Sequence, residues 1–409
     1  MFYDKQPKQQ QEDYKKMLEL VGSLSRLFSE AKEPFLHYRA HENIFAKYFD
    51  VENNARSDDS ADAFNSKKGI GIGLKTWMGG NDQKVAEFGK LRPQYEHLSG
   101  RDLVEKIAEY RNIRIRTTMN IHGLREMLYH VVKRVPGAMC IYESAFDPID
   151  IPNIKIDEKR GNDNNIYFSD GKHTYHFSIS KHTLYMIFDD MELLDQFDVF
   201  IHEDPYDILE EALCKVGKIV QLHKDDDFEW KVAEGVVDGY TSKPQRKKDT
   251  LCLRLYSTKA DGTKVVFEKS GLNQWNAGGR KRDPDEVYIP YPSEDRKRKD
   301  FFPPRDTPFD LTLPDGTEIS AKVCQDNSKA IMSNPNKVLG KWLLRDVFEL
   351  PEGTPVTYSM LREYDVDSVM FTKESEGHYS VDFCRLGTYE KTYGLKDIEE
   401  DDENDNAPE

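Results

Sequence analysis

Residues 58–77 read DDSADAFNSKKGIGIGLKTW, and the reading of that stretch decides what the first half of the chain can be. A glycine-rich turn followed by Lys-Thr invites a phosphate-binding loop. That motif needs glycine directly before Lys-Ser/Thr, because successive backbone N–H groups have to curl around the phosphate. Here Leu74 separates Gly73 from Lys75, and no glycine stands in the required frame. Residues 69–77 alternate Gly with Ile as a strand does, and glycine in a strand permits close approach of a neighbour. No strand-turn-helix unit surrounds these glycines, which excludes a dinucleotide fingerprint as well. What stays is a strand with an Asp ahead of it and a Lys near its end.

Around that strand the first half mixes helix and strand signals. Met17, Leu20, Val21, Leu24, Leu27 and Phe28 recur at helical spacing over residues 12–31, with Pro34 as a stop. Residues 37–50 predict a second helix, 82–91 a short third one, and 100–135 a further helical region in which IRIRTTMNI alternates like a strand. Residues 164–180, NNIYFSDGKHTYHFSIS, predict a hairpin turning at Asp170-Gly171. After about residue 225 the pattern changes to short strands separated by DG, PP, PEG and EG turns, broken by one helix in NKVLGKWLLRDVF. The second half therefore predicts a small β-barrel or sandwich with one internal helix.

At 409 residues with 38% hydrophobic content the chain has material for two or three domains. It contains no run of about 18 apolar residues and opens without an apolar signal core, so the expected location is the cytoplasm, with no membrane partner. Its five cysteines are scattered without CxxC spacing, which argues against a disulfide framework or a zinc site. The formal net charge of −16 is unevenly placed. Acidic blocks occupy 188–211 and the tail 399–409, the tail reading as disordered. Basic clusters stand at Arg280-Lys281-Arg282 and Arg296-Lys297-Arg298-Lys299. Nucleic-acid binding depends on such local patches and not on the sum.

The run SGLNQWNAGGRKRDPDEVYIPYP (270–292) and the longer run from Asp300 to Thr357 resemble the C-terminal DNA-binding domain of NgoFVII-type restriction endonucleases. That domain belongs to the DNA-binding pseudobarrel group, also seen in plant B-three transcription factors and in the EcoRII and BfiI endonucleases. The resemblance spans roughly 250–385 and implies double-stranded DNA as partner, gripped by two arms. One arm would carry Lys269, Ser270, Asn273, Gln274, Trp275, Asn276, Arg280, Lys281 and Arg282; the other Gln325, Asn327, Ser328, Lys329, Asn334, Asn336 and Lys337. Asn, Gln and Arg are the side chains that bond base edges bidentately in the major groove. The cations at 296–299 suit phosphate contacts, which position without reading sequence. Trp275 is equally suited to anchor its loop, and Trp342 to the core.

A recognition domain implies a partner half that acts on the DNA or recruits something to it. Phosphodiester hydrolysis requires carboxylates to hold Mg²⁺ and a Lys near the water or phosphate. The first half resembles, at the level of fold pattern, the PD-(D/E)xK nucleases, with Asp62 and Lys75 in the matching places. Their Glu, two residues before the Lys, is Gly73 here. In some enzymes of that fold the second carboxylate comes from the following helix, a role that falls to Glu87, while Glu42 matches an accessory acid. The resemblance thus implies Glu42, Asp62, Lys75 and Glu87 as catalytic residues, with Asp62 and Glu87 on the metal. His173, His176, Lys181 and His182 form a second cluster, but two His three apart on a strand face opposite ways. A histidine nuclease of the phospholipase-D type, found in some relatives of the second half, needs a His-x-Lys core that the sequence lacks. The expected architecture is an α+β nuclease-like domain over 1–225, a linker over 226–249, a mainly β pseudobarrel over 250–395 and an acidic tail over 396–409. The expected protein is a type II restriction endonuclease and a homodimer; the rival is a non-catalytic DNA-binding regulator whose first half dimerises or recruits.

Overall fold

Lys75 lies on the strand around which the first half is built. The computed structural model describes residues 1–54, 60–80, 82–188, 191–215, 249–298 and 300–395. Helices α1 (Lys8–Ser23) and α2 (Tyr38–Phe49) open the chain. Strands β1 (Glu52–Asn53), β2 (Ala63–Asn65), β3 (Ile70–Trp77) and β4 (Asp82–Glu87) follow, then the single-turn α3 (Arg92–Tyr95) and the long α4 (Gly100–Ile121). Next come β5 (Glu126–Val135), β6 (Ala138–Ala145), β7 (Lys155–Ile156), β8 (Asn165–Ser169), β9 (Thr174–Ser178), β10 (Thr183–Ile187), β11 (Glu192–Asp198) and α5 (Pro205–Lys215). They form a six-stranded sheet in the order β1-β2-β3-β5-β6-β11 and a five-stranded sheet in the order β4-β10-β9-β8-β7.

β3 runs parallel to β5, Gly73 opposite Tyr129, and the connection between them contains α4. Parallel neighbours require such a long crossover. Ile72 and Leu74 face α1 and α2, while Trp77 packs on the other face with residues of α4 and the second sheet. The strand is thus sandwiched, and its alternating Gly and Ile serve two packed faces. Under α1 and α2 lies a buried polar chain: Tyr14 Oη bonds His41 Nε2 at 2.9 Å and His130 Nε2 at 3.0 Å, and His130 Nδ1 meets Glu143. Glu143 also accepts the backbone N–H groups of Phe2 and Tyr3, which fixes the N-terminal segment and α2 on the sheet. Burial, then His130, holds the His41 imidazole well below its ordinary pKa, so it sits there neutral.

Two predicted helices are strands in part. Residues 82–87 pair antiparallel with β10, Thr183 opposite Glu87, and only Gly89–Leu91 turns helically. A six-residue segment is too short for its periodicity to outweigh the pairing offered by a neighbouring strand. The helical region predicted over 100–135 ends at Ile121, with IRIRTTMNI inside α4, and 126–135 is β5. The hairpin at Asp170-Gly171 forms as predicted between β8 and β9, with Gly171 at φ +85°.

The second half consists of β12 (Asp249–Arg254), β13 (Ser257–Thr258), β14 (Lys264–Val265), β15 (Ile289–Pro290), α6 (Ser293–Arg298), β16 (Pro308–Thr312), β17 (Glu318–Cys324), β18 (Ala330–Ser333), α7 (Val338–Gly340), α8 (Tyr358–Tyr364), β19 (Ser368–Ser375), β20 (His378–Cys384) and α9 (Thr388–Tyr393). Seven strands make one sheet in the order β12-β19-β20-β16-β17-β18-β15, and its two end strands lie against each other, which nearly closes a barrel. α7 continues as a π-helical turn to Val347, giving the predicted internal helix, with Trp342 buried and its indole N–H donating to Asp315 Oδ2 at 3.2 Å. Short helices α6, α8 and α9 add to it on the outside of a mostly β body. The expected linker lies outside the described residues except for Asp249, which opens β12, and the acidic tail lies outside them entirely. The two halves meet along a seam. Ile121 of α4 packs into the barrel core, Asn120 Nδ2 donates to Val347 O, and Lys90 Nζ donates to Leu386 O at 2.8 Å.

Candidate functional site

A cleft of ≈ 590 Å³ opens among α2, β3, β4 and α4, and Glu42, Asp62, Lys75 and Glu87 all line it. The fold brings to one place four residues spread over 46 positions of sequence. Asp58 and Asp59, the neighbours of Asp62 in sequence, lie outside the described residues. Asp62 is fixed against β3: its N–H donates to Ile72 O at 2.9 Å, and its Oδ2 accepts the Leu74 N–H at 2.7 Å. Glu42 is buried on α2 and accepts from Arg39 Nη1 at 3.2 Å. Burial first and Asp62 second raise the Glu42 carboxyl above its ordinary pKa, against the pull of Arg39 and Lys75. Two carboxylates that repel each other beside a half-buried Lys form a seat that a cation relieves.

Glu87 lines the same cleft from β4. It ends β4, not a helix, and its carboxylate pairs with Lys84 of the same strand while its carbonyl accepts from Arg114 Nη1 at 2.7 Å. Among the described residues no three acidic, His or Cys side chains are grouped to hold a metal ion. Mg²⁺ nevertheless needs only one or two carboxylates, since it keeps several waters and takes substrate phosphate oxygens. Glu42 and Asp62 fit that donor set.

Gly73 now has a physical reason. A Cβ there would lie 2.8 Å from Tyr129 Cδ1 and 3.1 Å from Phe146 Cε1. Tyr129 and Phe146 stack at 4.0 Å, and Arg111 lies over Phe146 while donating to Tyr129 Oη at 3.1 Å. The space in which a carboxylate at position 73 would begin is therefore filled by an aromatic stack, on the same face of β3 as Lys75. Burial pushes the Tyr129 phenol up to about 12, with Arg111 opposing and Asp62 adding to the rise. Sequence reasoning missed Arg39, Lys84, Arg111, Arg114 and Arg385, which with Lys75 set six cations against the three acids of the cleft walls. On a chain of net charge −16 this excess is local. The second cluster does not assemble there: His176 stacks on Tyr185 and faces Asp82, and His182 meets Tyr95 across a different cleft.

On the barrel, the first arm is a 3₁₀ turn, Gly271–Asn276, followed by the loop to Glu286. Asn273 corrects one expectation. It is 0% exposed, its Oδ1 accepts the Val356 N–H at 2.8 Å, and its Nδ2 donates to Phe267 O and Val356 O. It builds the loop and has no group left to read a base. Arg282 is likewise turned inward, donating to the carbonyls of Ala277 and Gly278. Trp275 packs on the barrel core as the loop anchor. Lys269, Asn276, Arg280 and Lys281 stay exposed, with Ser270 and Gln274 half-buried.

In the second arm Asn327, Lys329, Asn334 and Lys337 are exposed, and Gln325, Asn327 and Ser328 take positive φ, a tight left-handed turn. The arms are joined by Glu286, 1% exposed, which pairs with Arg280 and Arg282 of the first and accepts from Asn336 Nδ2 of the second at 2.9 Å. Of the cations at 296–299, Arg296 donates to Tyr291 O and Arg298 lies over Tyr393, so both are tied to the barrel surface; Lys299 lies outside the described residues. Among the described residues no helix is long and apolar enough to cross a membrane. No curated protein matches the chain. Residues 247–375 match the family model described as the NgoFVII C-terminal B3-like DNA-binding domain, a kind of domain that restriction enzymes carry.

Proposed function

We propose that the protein is a type II restriction endonuclease that cuts double-stranded DNA with Mg²⁺, the barrel supplying recognition and the first half the cut. The observation that carries this reading is the gathering of Glu42, Asp62, Lys75 and Glu87 around one cation-lined cleft in a chain whose other half is a restriction-enzyme-type DNA-binding domain. Asp62 and Glu42 would hold the metal, which when bound neutralises charge on the phosphodiester and lowers the pKa of a water. Lys75 would face the phosphate or the attacking water with a positive charge already in place, so no reorganisation is needed as charge develops. Glu87 and Lys84 would set the opposite lip. Cutting both strands calls for two such sites, and a homodimer supplies them.

The test is digestion of several unmodified genomic DNAs and a plasmid by the full chain with Mg²⁺, with and without EDTA. Discrete fragments that EDTA abolishes, and that Asp62→Asn fails to produce, are the expected result. No EDTA-sensitive cleavage on any substrate would sink the reading and leave a DNA-binding regulator. Recognition has its own prediction. Arg280→Ala and Asn327→Ala should each weaken binding of the cleaved site by roughly 1–3 kcal/mol, the worth of a base contact, while binding to unrelated duplex changes far less. Equal weakening on both duplexes would make these residues phosphate contacts.

A further inference from the structure

The cleft is not built by the first half alone: Arg385, which follows β20 of the barrel, is one of its lining residues. Its surroundings are hydrogen-bonded across the seam. Leu386 O, one residue on, accepts from Lys90 Nζ at 2.8 Å, Gly387 N–H donates to buried Asp367 at 3.2 Å, and Arg362 donates to Lys90 O. Arg385 Nε faces Asp365 Oδ2 at 3.0 Å, and the same carboxylate oxygen lies 3.5 Å from Arg114 Nη1 of α4. Two guanidinium groups thus share one carboxylate across the seam. Their mutual repulsion shows at Arg114, whose pKa is lowered first by burial, with Arg385 adding to the fall.

We propose that Arg385 binds a backbone phosphate of the DNA strand lying in the cleft, so that the recognition half contributes a residue to the seat of the strand to be cut. The inference rests on reading the cleft as a DNA-binding site. Three features lead to it. The Arg114–Asp365–Arg385 group carries one positive charge more than its carboxylate balances, which a phosphodiester completes. The guanidinium is planar with five N–H donors; its Nε lies 3.0 Å from Asp365 Oδ2, and its two Nη groups suit the forked contact that arginine makes with phosphate. Its side chain is 41% exposed, whereas Arg114 is 10% exposed and already donates to Glu87 O, so of the two Arg385 is the one that substrate can reach. The contact ties the register of the reading barrel to the position of the scissile strand.

Binding of a mixed-sequence duplex of about 30 base pairs by the full chain, in EDTA so that nothing is cut, is measured over a range of salt. Each phosphate neutralised adds about 0.9 to the slope of log K against log salt. Arg385→Ala and Arg385→Gln should both flatten the slope by about 0.9, and Arg385→Lys should restore it; Asp365→Asn, which loosens the seam but keeps the Arg385 charge, should leave it as in the wild type. An unchanged slope in Arg385→Ala and Arg385→Gln would overturn the proposal, as would an equal flattening in Asp365→Asn, which would assign the effect to the seam. Because no cleavage is read, failure of this inference is separate from failure of the nuclease reading, which the EDTA-sensitive digestion decides.

Discussion

Lys75→Ala should reduce cleavage by 10²-fold or more while specific duplex binding and thermal stability stay near those of the wild type. The reasoning begins with its position on β3. Lys75 lies beyond the part of the strand packed against Tyr129 and Phe146, is half-buried, and lines the cleft. Truncation there removes no core contact of the kind that costs several kcal/mol. Its charge acts in two ways. It stands beside Glu42 and pulls that carboxyl down against burial and Asp62, so its loss raises Glu42 further and weakens the acidic seat. In the proposed reaction it would also provide a fixed positive charge where negative charge develops on phosphate, and removing one such preorganised group typically costs about 10²–10³ in rate. Plasmid cleavage time courses alongside gel-shift binding on the same DNA distinguish the outcomes. Wild-type cutting by the variant would remove Lys75 from the chemistry, and loss of binding together with cutting would make it structural.

How far the site was legible in the sequence follows from which interactions are local. The strand character of 69–77 and the hairpin at 170–171 are written in alternation and turn chemistry, and they are found as read. Glu87 was expected on a helix and lies on a strand, because the pairing of β4 with β10 depends on a strand nearly a hundred residues further on. The reason for Gly73 is equally non-local: the ring that forbids a side chain belongs to Tyr129 on the parallel neighbour. Asn273 and Arg282 have the composition of base readers, yet backbone groups of their own loop and of Val356 consume their donors. Arg385 gave no signal at all, since a lone Arg after a strand becomes part of a cleft only when the two halves meet.

Gly340→Ala should cost more than about 3 kcal/mol and, unlike Lys75→Ala, should remove DNA binding with stability. Gly340 has φ −72° and ψ −36°, ordinary helical values, so backbone conformation does not demand a glycine, and in an exposed helix alanine would gain about 1 kcal/mol. Space demands it: a Cβ at 340 would stand 1.8 Å from the carbonyl oxygen of Asp285 and 3.1 Å from Val287 Cγ1. No rotamer relieves a clash with backbone. Nor can Asp285 retreat cheaply, because Arg345 of the same helical segment holds its Oδ1 at 2.7 Å and donates to Pro284 O at 3.1 Å. The helix must move off the 283–287 strap or the strap off the barrel, either of which exceeds the usual 1–3 kcal/mol of overpacking. The strap carries Glu286, the residue that joins the two arms through Arg280 and Asn336, so displacing it takes apart the proposed reading surface. Urea unfolding of the full chain with duplex binding measured in parallel checks this. A Gly340→Ala protein within about 0.5 kcal/mol of the wild type, still binding its site, would show that helix and strap have room to separate without disturbing the arms.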